Sequence, residues 1–548
     1  MNKIWKLRGP GYTDPESFIL AASGLTRQEL QQPAKADPAA IQNIPAAAEC
    51  IRACLREGRR VVIVGDYDAD GITSCAVLSM LLSRLGVTPR VIIPKRFTDG
   101  YGVNETMVAD IHDSLLICVD NGIVAVEPIA LARQQGNRVI ILDHHLPAAQ
   151  LPDADVIVDP HIDPDASAYV DYCGAGLSLK LAEYMLPDPS AERVLFYNMT
   201  ALACVGTVAD VVPLTGDNRR IVKEGLQIIN HRGAHAMLNA GFRRLLDKCR
   251  TPCDEEIISF HIAPIINAAG RMYNAGSLSV LKTLLCTDEA VAVTYAEKLV
   301  EVNEERKRAV AGWQRRYSAK ADPEKKVQII YLPGAPEGII GIIAGKIAED
   351  IHTPALIFTD AAEPGVYKGS GRSAGDFDLS LLTDRLRPLT LKCGGHAGAA
   401  GLSVAAERFE ELRTVAEEFM QPYDFGDDWK YELYDVTIRP DEVESACRTL
   451  REYAPFGEGV PRPVFVIRGF EPQSRYGETF RKLGAGNIHI KLHGPGYEAI
   501  GFYLAERYDE LEAPAALDLL GSVSDNYYDG RVSPQFGITA MAAPGEQP

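Results

Sequence analysis

The sequence predicts an α/β protein: a parallel-sheet core, a smaller α/β domain joined to it by a long helix, and a C-terminal β-barrel. Three observations predict it. Between residues 59 and 215, short β-branched apolar runs alternate with helix-length segments. From 287 to 320 a densely charged stretch contains no Pro and only Gly312. After 425 the chain breaks into short alternating stretches with turn signals between them.

Taken in order, residues 1–48 form an N-terminal segment and 49–285 the core domain. The runs Val61–Val64, Val91–Pro94, Leu115–Val119, Val139–Leu142 and Val156–Val158 have the length and texture of strands buried on both faces. Ile72–Leu85, stopped by Gly86, reads as an intervening helix. Residues 286–325 form the connecting helix, its charges paired along the surface. A second α/β domain over 326–424 follows, ending in two glycine-rich loops. The stretch 425–548 carries enough short strands for a small barrel, one pair joined by a turn at Asp529-Gly530.

A chain of 548 residues is too long for one core, and 46% hydrophobic with 24% charged residues is ordinary globular composition. The opening residues have no apolar run of leader length, and no later stretch has the length to span a bilayer. The expectation is a cytoplasmic protein with no membrane contact. Eleven cysteines are scattered singly, Cys75, Cys118 and Cys204 within apolar runs, as reduced core thiols are. Cys249 and Cys253 lack the second pair that a zinc site needs. A net charge of -18 argues against a non-specific nucleic-acid binder. It leaves room for a nuclease whose basic groups are confined to a channel.

The position of the acidic residues carries the chemistry. VVIVG is followed by Asp66, Asp68 and Asp70, LLICV by Asp120, and VIIL by Asp143, His144 and His145. A fourth apolar run, Ala203–Val208, is followed by Asp210. The carboxyl ends of parallel strands line the crevice where ligands bind, so these groups are expected to converge there. Several carboxylates at a few Å repel strongly unless cations neutralise them. Oxygen donors with one imidazole suit Mg²⁺ or Mn²⁺, and two such ions sharing a carboxylate suit in-line attack at phosphorus. Asp-x-Asp-x-Asp-Gly also opens an EF-hand, but the twelfth position is Val77, not Glu, and a strand precedes it. Any one aspartate would serve as a helix cap; four in this pattern call for more.

At Asp66–Gly71, Asp120–Gly122, Asp143–His145 and Gly206–Asp210 the chain resembles the DHH phosphoesterases. PKRFTDGYG, INAAGRM, GSGRS, CGGHAGAAG and PFGEGVPRPVF resemble motifs of that family's single-strand-specific exonucleases, from about residue 50 to 540. The resemblance implies a DHH core, a DHH-associated second domain and an OB-fold barrel. It implies Asp68 and Asp120 on one cation, and Asp70, Asp120, His144 and Asp210 on a second, with Asp120 bridging. His145 resembles the histidine that contacts the scissile phosphate, which completes the candidate catalytic set of Asp68, Asp70, Asp120, His144, His145 and Asp210. Asp143 would orient the histidines. Where some family members have a histidine before the first motif this chain has Val64, and Asp66 is a candidate to compensate.

Substrate oxygens call for guanidinium forks. The candidates are Arg96, Arg271, Arg306, and Ser370 with Arg372; the resemblance places them near the cleft, some around the 5' end. It also puts His396, in a loop bare of side chains, on nucleic acid. On the barrel Phe456, Arg462, Arg475, Tyr476, Phe480, Arg481 and Lys482 offer a basic and aromatic groove. The implied activity is a 5'-to-3' exonuclease releasing mononucleotides from single-stranded DNA with two Mn²⁺ or Mg²⁺ ions. Repair and recombination are the implied setting, with a single-strand-binding protein and a recombination helicase as partners. The rivals are a phosphoesterase for pyrophosphate or short nucleotides, which the barrel disfavours, and an inactive scaffold, which the intact aspartates disfavour.

Overall fold

A computed structural model describes residues 4–546 apart from 101, 187, 250, 251, 426–430, 476, 513, 529 and 530. The turn expected at Asp529-Gly530 and the barrel candidate Tyr476 lie outside the described residues. The core domain is a five-stranded, wholly parallel sheet in the order Arg90–Ile92, Arg60–Val64, Ser114–Val119, Arg138–Leu142, Val156–Val158. These are the five runs the sequence singles out. One face packs on Ile72, Leu78, Leu179 and Leu202, and the other on Val108, Ile129 and Ala132. Burial on both sides is why the strands read as continuous apolar runs.

The helix expected over Ile72–Leu85 spans Ala69–Arg84 and therefore includes Asp70. Asp68 caps it, accepting from the Gly71 N–H at 3.0 Å, so the acidic motif is the start of a helix and not a free loop. The run before Asp210 is a helix too: Arg193–Ala209 is helical and Asp210 follows its last turn. An apolar stretch of this length does not by itself distinguish a buried helix from a buried strand.

A 30-residue helix, Glu289–Ser318, about 45 Å long, leads to the second domain. There a sheet in the order Lys392–His396, Ala399–Ala405, Val366–Arg372, Ala355–Asp360, Gln328–Tyr331 is covered on one face by Glu337–Ile351 and on the other by Leu379–Leu386 and Phe409–Met420. The C-terminal domain holds an eight-stranded sheet, one strand of which comes from the other end of the chain. Ile4–Tyr12 pairs in parallel with Tyr431–Ile438, and Phe18, Ile19 and Leu30 enter the same core as Val436 and Phe465. The segment 1–48, set apart by the sequence, is thus divided: its strand and first helices are built into the barrel domain, while Ile41, Ile44 and Ala47 enter the core of the parallel-sheet domain. The barrel is bolted to the core domain by Arg219, which is fully buried and donates to the carbonyls of Leu30, Tyr453 and Pro455. Among the described residues no helix is long and apolar enough to cross a membrane.

Candidate active site

At the carboxyl edge of the parallel sheet the acidic side chains meet. Asp66, Asp68 and Asp120 bring one oxygen each within 4.8 Å of one another, and Asp70, His144 and Asp210 form a second such group. The two are joined through His144 Nε2, 3.0 Å from Asp120 Oδ1, 3.8 Å from Asp70 Oδ2 and 3.6 Å from Asp210 Oδ2. Asp120, between them, has φ +58°, a left-handed conformation that Asp tolerates better than most residues. Such backbone is held where surrounding structure dictates it.

Asp70 is gripped by a helix start. Its carboxylate accepts from the N–H groups of Gly174 at 2.6 Å and Ala175 at 3.0 Å, the first residues of Gly174–Met185, where the helix dipole favours negative charge. Glycines make room for this packing. A Cβ on Gly174 would lie 2.7 Å from Asp120 Cβ, and one on Gly206 2.6 Å from Asp70 Oδ1. Nothing in the spacing of DYCGAGLS announced this role; its signal is the pair of glycines at a buried helix start.

The electrostatics are those of a site built for cations. Burial, then mutual repulsion, pushes Asp66 and Asp120 well above the usual carboxylate range, raises Asp68, and raises Asp210 to about 9. Asp66 Oδ1 is buried with no hydrogen-bond partner among the described residues. Burial holds His144 below its ordinary value, so its imidazole is neutral, as a metal ligand requires. His145 goes the other way. Burial opposes its charge, but Asp143, 2.7 Å away, outweighs burial and raises it to about 9. Asp143 Oδ1 also accepts from the His144 N–H and Oδ2 from that of Ile123, which fixes the turn carrying both histidines.

Beside this centre the structure brings together Arg96, Arg271, Arg306 and Arg372. Burial, then the other three guanidiniums, lowers Arg271 to about 10. Arg96 lies over the Tyr67 ring at 4.0 Å, which ties the pocket to the Asp66–Asp68 turn, and its Nε is buried without a hydrogen-bond partner. The helix Glu337–Ile351 brings the second domain in through glycines: an added Cβ on Gly338 would strike the Arg271 carbonyl, and one on Gly341 would crowd Ser370 and Arg372.

His396 stands apart from the arginines but on the same face of its sheet. It pairs with Ala399, which pairs with Arg372, and directly opposed residues project to one side. The neighbouring row is Gly394, Gly401 and Ser370, and at both glycines the space above is open. A bare strip of backbone therefore runs between His396 and Ser370.

The barrel candidates are largely committed elsewhere. Phe456 is buried in the core. Arg462 binds Glu255 and Glu256 of the core domain, Arg475 binds Glu498, Lys482 binds Asp509, and Phe480 packs on Tyr508. Arg481 is exposed. Among the described residues the aromatic rings that the barrel does expose are Phe502, Tyr503, Tyr527 and Tyr528, none of them among the candidates taken from the sequence.

The family description "DHH family, N-terminal domain" matches residues 60–207, "DHHA1 domain" 324–421 and "RecJ OB domain" 434–540. The single-stranded-DNA-specific exonuclease RecJ of Dickeya dadantii is 32% identical over 506 residues, covering 84% of this chain and 83% of that protein. The chain belongs to the RecJ family. RecJ of Bacillus subtilis is 29% identical over 92% of the chain, which spans 64% of that longer relative. The crystal structure of RecJ from Thermus thermophilus in complex with Mn²⁺ matches with a TM-score of 0.79 at 27% identity, covering 98% of this chain and 77% of that one. A second RecJ structure from the same organism contains Mg²⁺. The donors here fit such ions: clustered carboxylate oxygens, one neutral imidazole, and a buried oxygen on Asp66 without a partner.

Proposed function

We propose that the chain removes mononucleotides from the 5' end of single-stranded DNA, in the cytoplasm, in the service of DNA repair and recombination. As a RecJ-family member it is a metal-dependent exonuclease and uses Mn²⁺ or Mg²⁺. Asp66, Asp68 and Asp120 would hold one ion and Asp70, Asp120, His144 and Asp210 the other. When bound, the two ions supply Lewis-acid charge to the phosphate oxygens and activate water.

The remaining work falls to this chain's own groups. His145, charged and held by Asp143, donates to a non-bridging oxygen of the scissile phosphate. The Gly174 and Ala175 N–H groups hold the Asp70 carboxylate in orientation. The observation that carries the 5'-end reading is the arginine pocket. Arg271 is buried among Arg96, Arg306 and Arg372, a concentration of guanidiniums that suits a terminal phosphate dianion better than one internal diester. With the end held there, the bond presented to the acidic cluster is the first one in the strand. The bare strip from Ser370 to His396 leaves room for backbone to lie close. A single-strand-binding protein and a recombination helicase, which protect or generate such ends, are the expected partners.

The test is digestion of single- and double-stranded DNA and RNA, labelled separately at each end, with Mn²⁺ or Mg²⁺. The expected result is early loss of the 5' label from single-stranded DNA as mononucleotide, and none with Asp120→Asn. Release from the 3' end first, or equal turnover by Asp120→Asn, would overturn the proposal.

A further inference from the structure

One helix carries a row of side chains out of the arginine pocket into solvent. From its cap at Asp254 the chain is helical to Met272, with a π-helical turn over Ile258–Ile262. Phe260, Pro264, Asn267 and Arg271 recur at spacings of four, three and four, so they share one face. Ile258, Ile262, Ile266 and Ala269 on the opposite face are buried in the core. Arg271 ends the row among the pocket arginines. Asn267 Oδ1 is buried and has no hydrogen-bond partner among the described residues. Phe260 begins the row and is 73% exposed, without the burial a phenyl ring ordinarily gains.

Two features make this more than a stray surface ring. π-helical turns are rare and concentrate at functional sites; this one displays Phe260. The helix is also anchored at its start to the barrel, where Glu255 accepts from the Phe456 N–H and from Arg462, each at 3.1 Å. Phe260 therefore stands between the barrel and the pocket, about 16 Å of helix from Arg271, a span of a few nucleotides.

We propose that Phe260 is a stacking platform for a base of the substrate strand, held a few nucleotides behind the scissile bond. This rests on the single-stranded-DNA reading above. Every base has a face that stacks on an aromatic ring whatever its identity, which suits an enzyme that must accept any sequence. In a duplex both faces of each internal base are already covered, so a ring at this place also favours single strands.

The experiment compares the full-length protein with Phe260→Ala, Phe260→Leu and Phe260→Trp on single strands of about a dozen nucleotides and on dinucleotides, with Mn²⁺. Leu keeps the apolar bulk but not the face; Trp keeps the face. The expected result is that the ratio of kcat/KM for the long strand to that for the dinucleotide falls about 5- to 150-fold in Ala and Leu, the range given by loss of one stacked base. Trp should match the wild type. A 2-aminopurine moved along the strand should be quenched at one position in wild type and Trp, and at none in Ala or Leu. An unchanged ratio in Phe260→Ala, or Leu behaving as wild type, overturns the proposal. Wild-type protein that degrades no single-stranded DNA would sink the functional reading, and this one with it.

Discussion

Gly174→Ala tests whether the active-site geometry depends on one missing methyl group. In the structure an alanine Cβ at 174 would lie 2.7 Å from Asp120 Cβ, 2.9 Å from Ser74 Oγ and 3.0 Å from Asp70 Oδ2. Restoring ordinary carbon–carbon contact of roughly 3.5–4.0 Å requires the helix start and Asp120 to separate by about 1 Å. Overpacking of this kind costs about 1–3 kcal/mol, against which alanine returns at most about 1 kcal/mol of helix propensity. The net loss of stability is therefore about 3 kcal/mol or less, and the protein should fold. Catalytic constellations, by contrast, tolerate only about 0.5 Å, and a misplacement of about 1 Å costs on the order of 100-fold in rate. The assay is release of 5'-labelled mononucleotide at saturating Mn²⁺, with a thermal melt as the control for folding. A folded Gly174→Ala protein turning over within about threefold of wild type would refute the claim that the Gly174 helix start fixes Asp70 against Asp120.

Arg372→Ala should weaken binding of a 5'-phosphorylated strand by about 10-fold or more, and a 5'-hydroxyl strand less, because the lost fork serves the terminal dianion; equal effects on both strands in a titration would count against the pocket. Arg219→Met takes the guanidinium from the carbonyls of Tyr453 and Pro455 and leaves that of Leu30 with only the Lys223 ammonium at 3.4 Å. At about 1–3 kcal/mol each, less the burial cost the guanidinium no longer carries, the net loss is on the order of 3 kcal/mol, and protease should then cut between barrel and core domain; unchanged melting and unchanged cleavage would contradict this. The acidic cluster predicts a pH dependence. An acid raised on folding, as Asp210 is to about 9, loses stability as pH climbs from its unfolded value near 4 through the folded one, so chelator-treated protein should melt lower at about pH 8 than at about pH 5. Mn²⁺ should raise Tm more at the higher pH and release protons on binding, read by calorimetry in two buffers; a pH-independent Tm shift would be the contrary result.

Much of this was legible from residues alone. The five core strands are β-branched runs buried on both faces, and burial on both faces removes the polar alternation that blurs other strands. The aspartates and His144 were visible because strand ends in a parallel sheet have one common edge. Arg96, Arg271 and Arg372 were visible through the glycine-bearing motifs around them, and Arg306 through the charged run NEERKR. The element before Asp210 was not legible, since Ala203–Val208 is equally apolar as helix or strand. The role of Asp66 was left open because only its burial and unpaired oxygen distinguish it from a solvated turn residue.

By itself the sequence determined the core strands, the connecting helix and the identities of the groups that meet, because each is encoded in local periodicity and residue type. Tertiary structure alone decided that Ile4–Tyr12 completes the barrel sheet, that Gly174 and Gly206 clear space around Asp70, and that Phe456 and Arg462 fasten domains together. It alone also fastened the start of the Phe260 helix to the barrel through Glu255. Such facts depend on contacts between residues far apart in the chain, and no local pattern records which distant surface a side chain will meet.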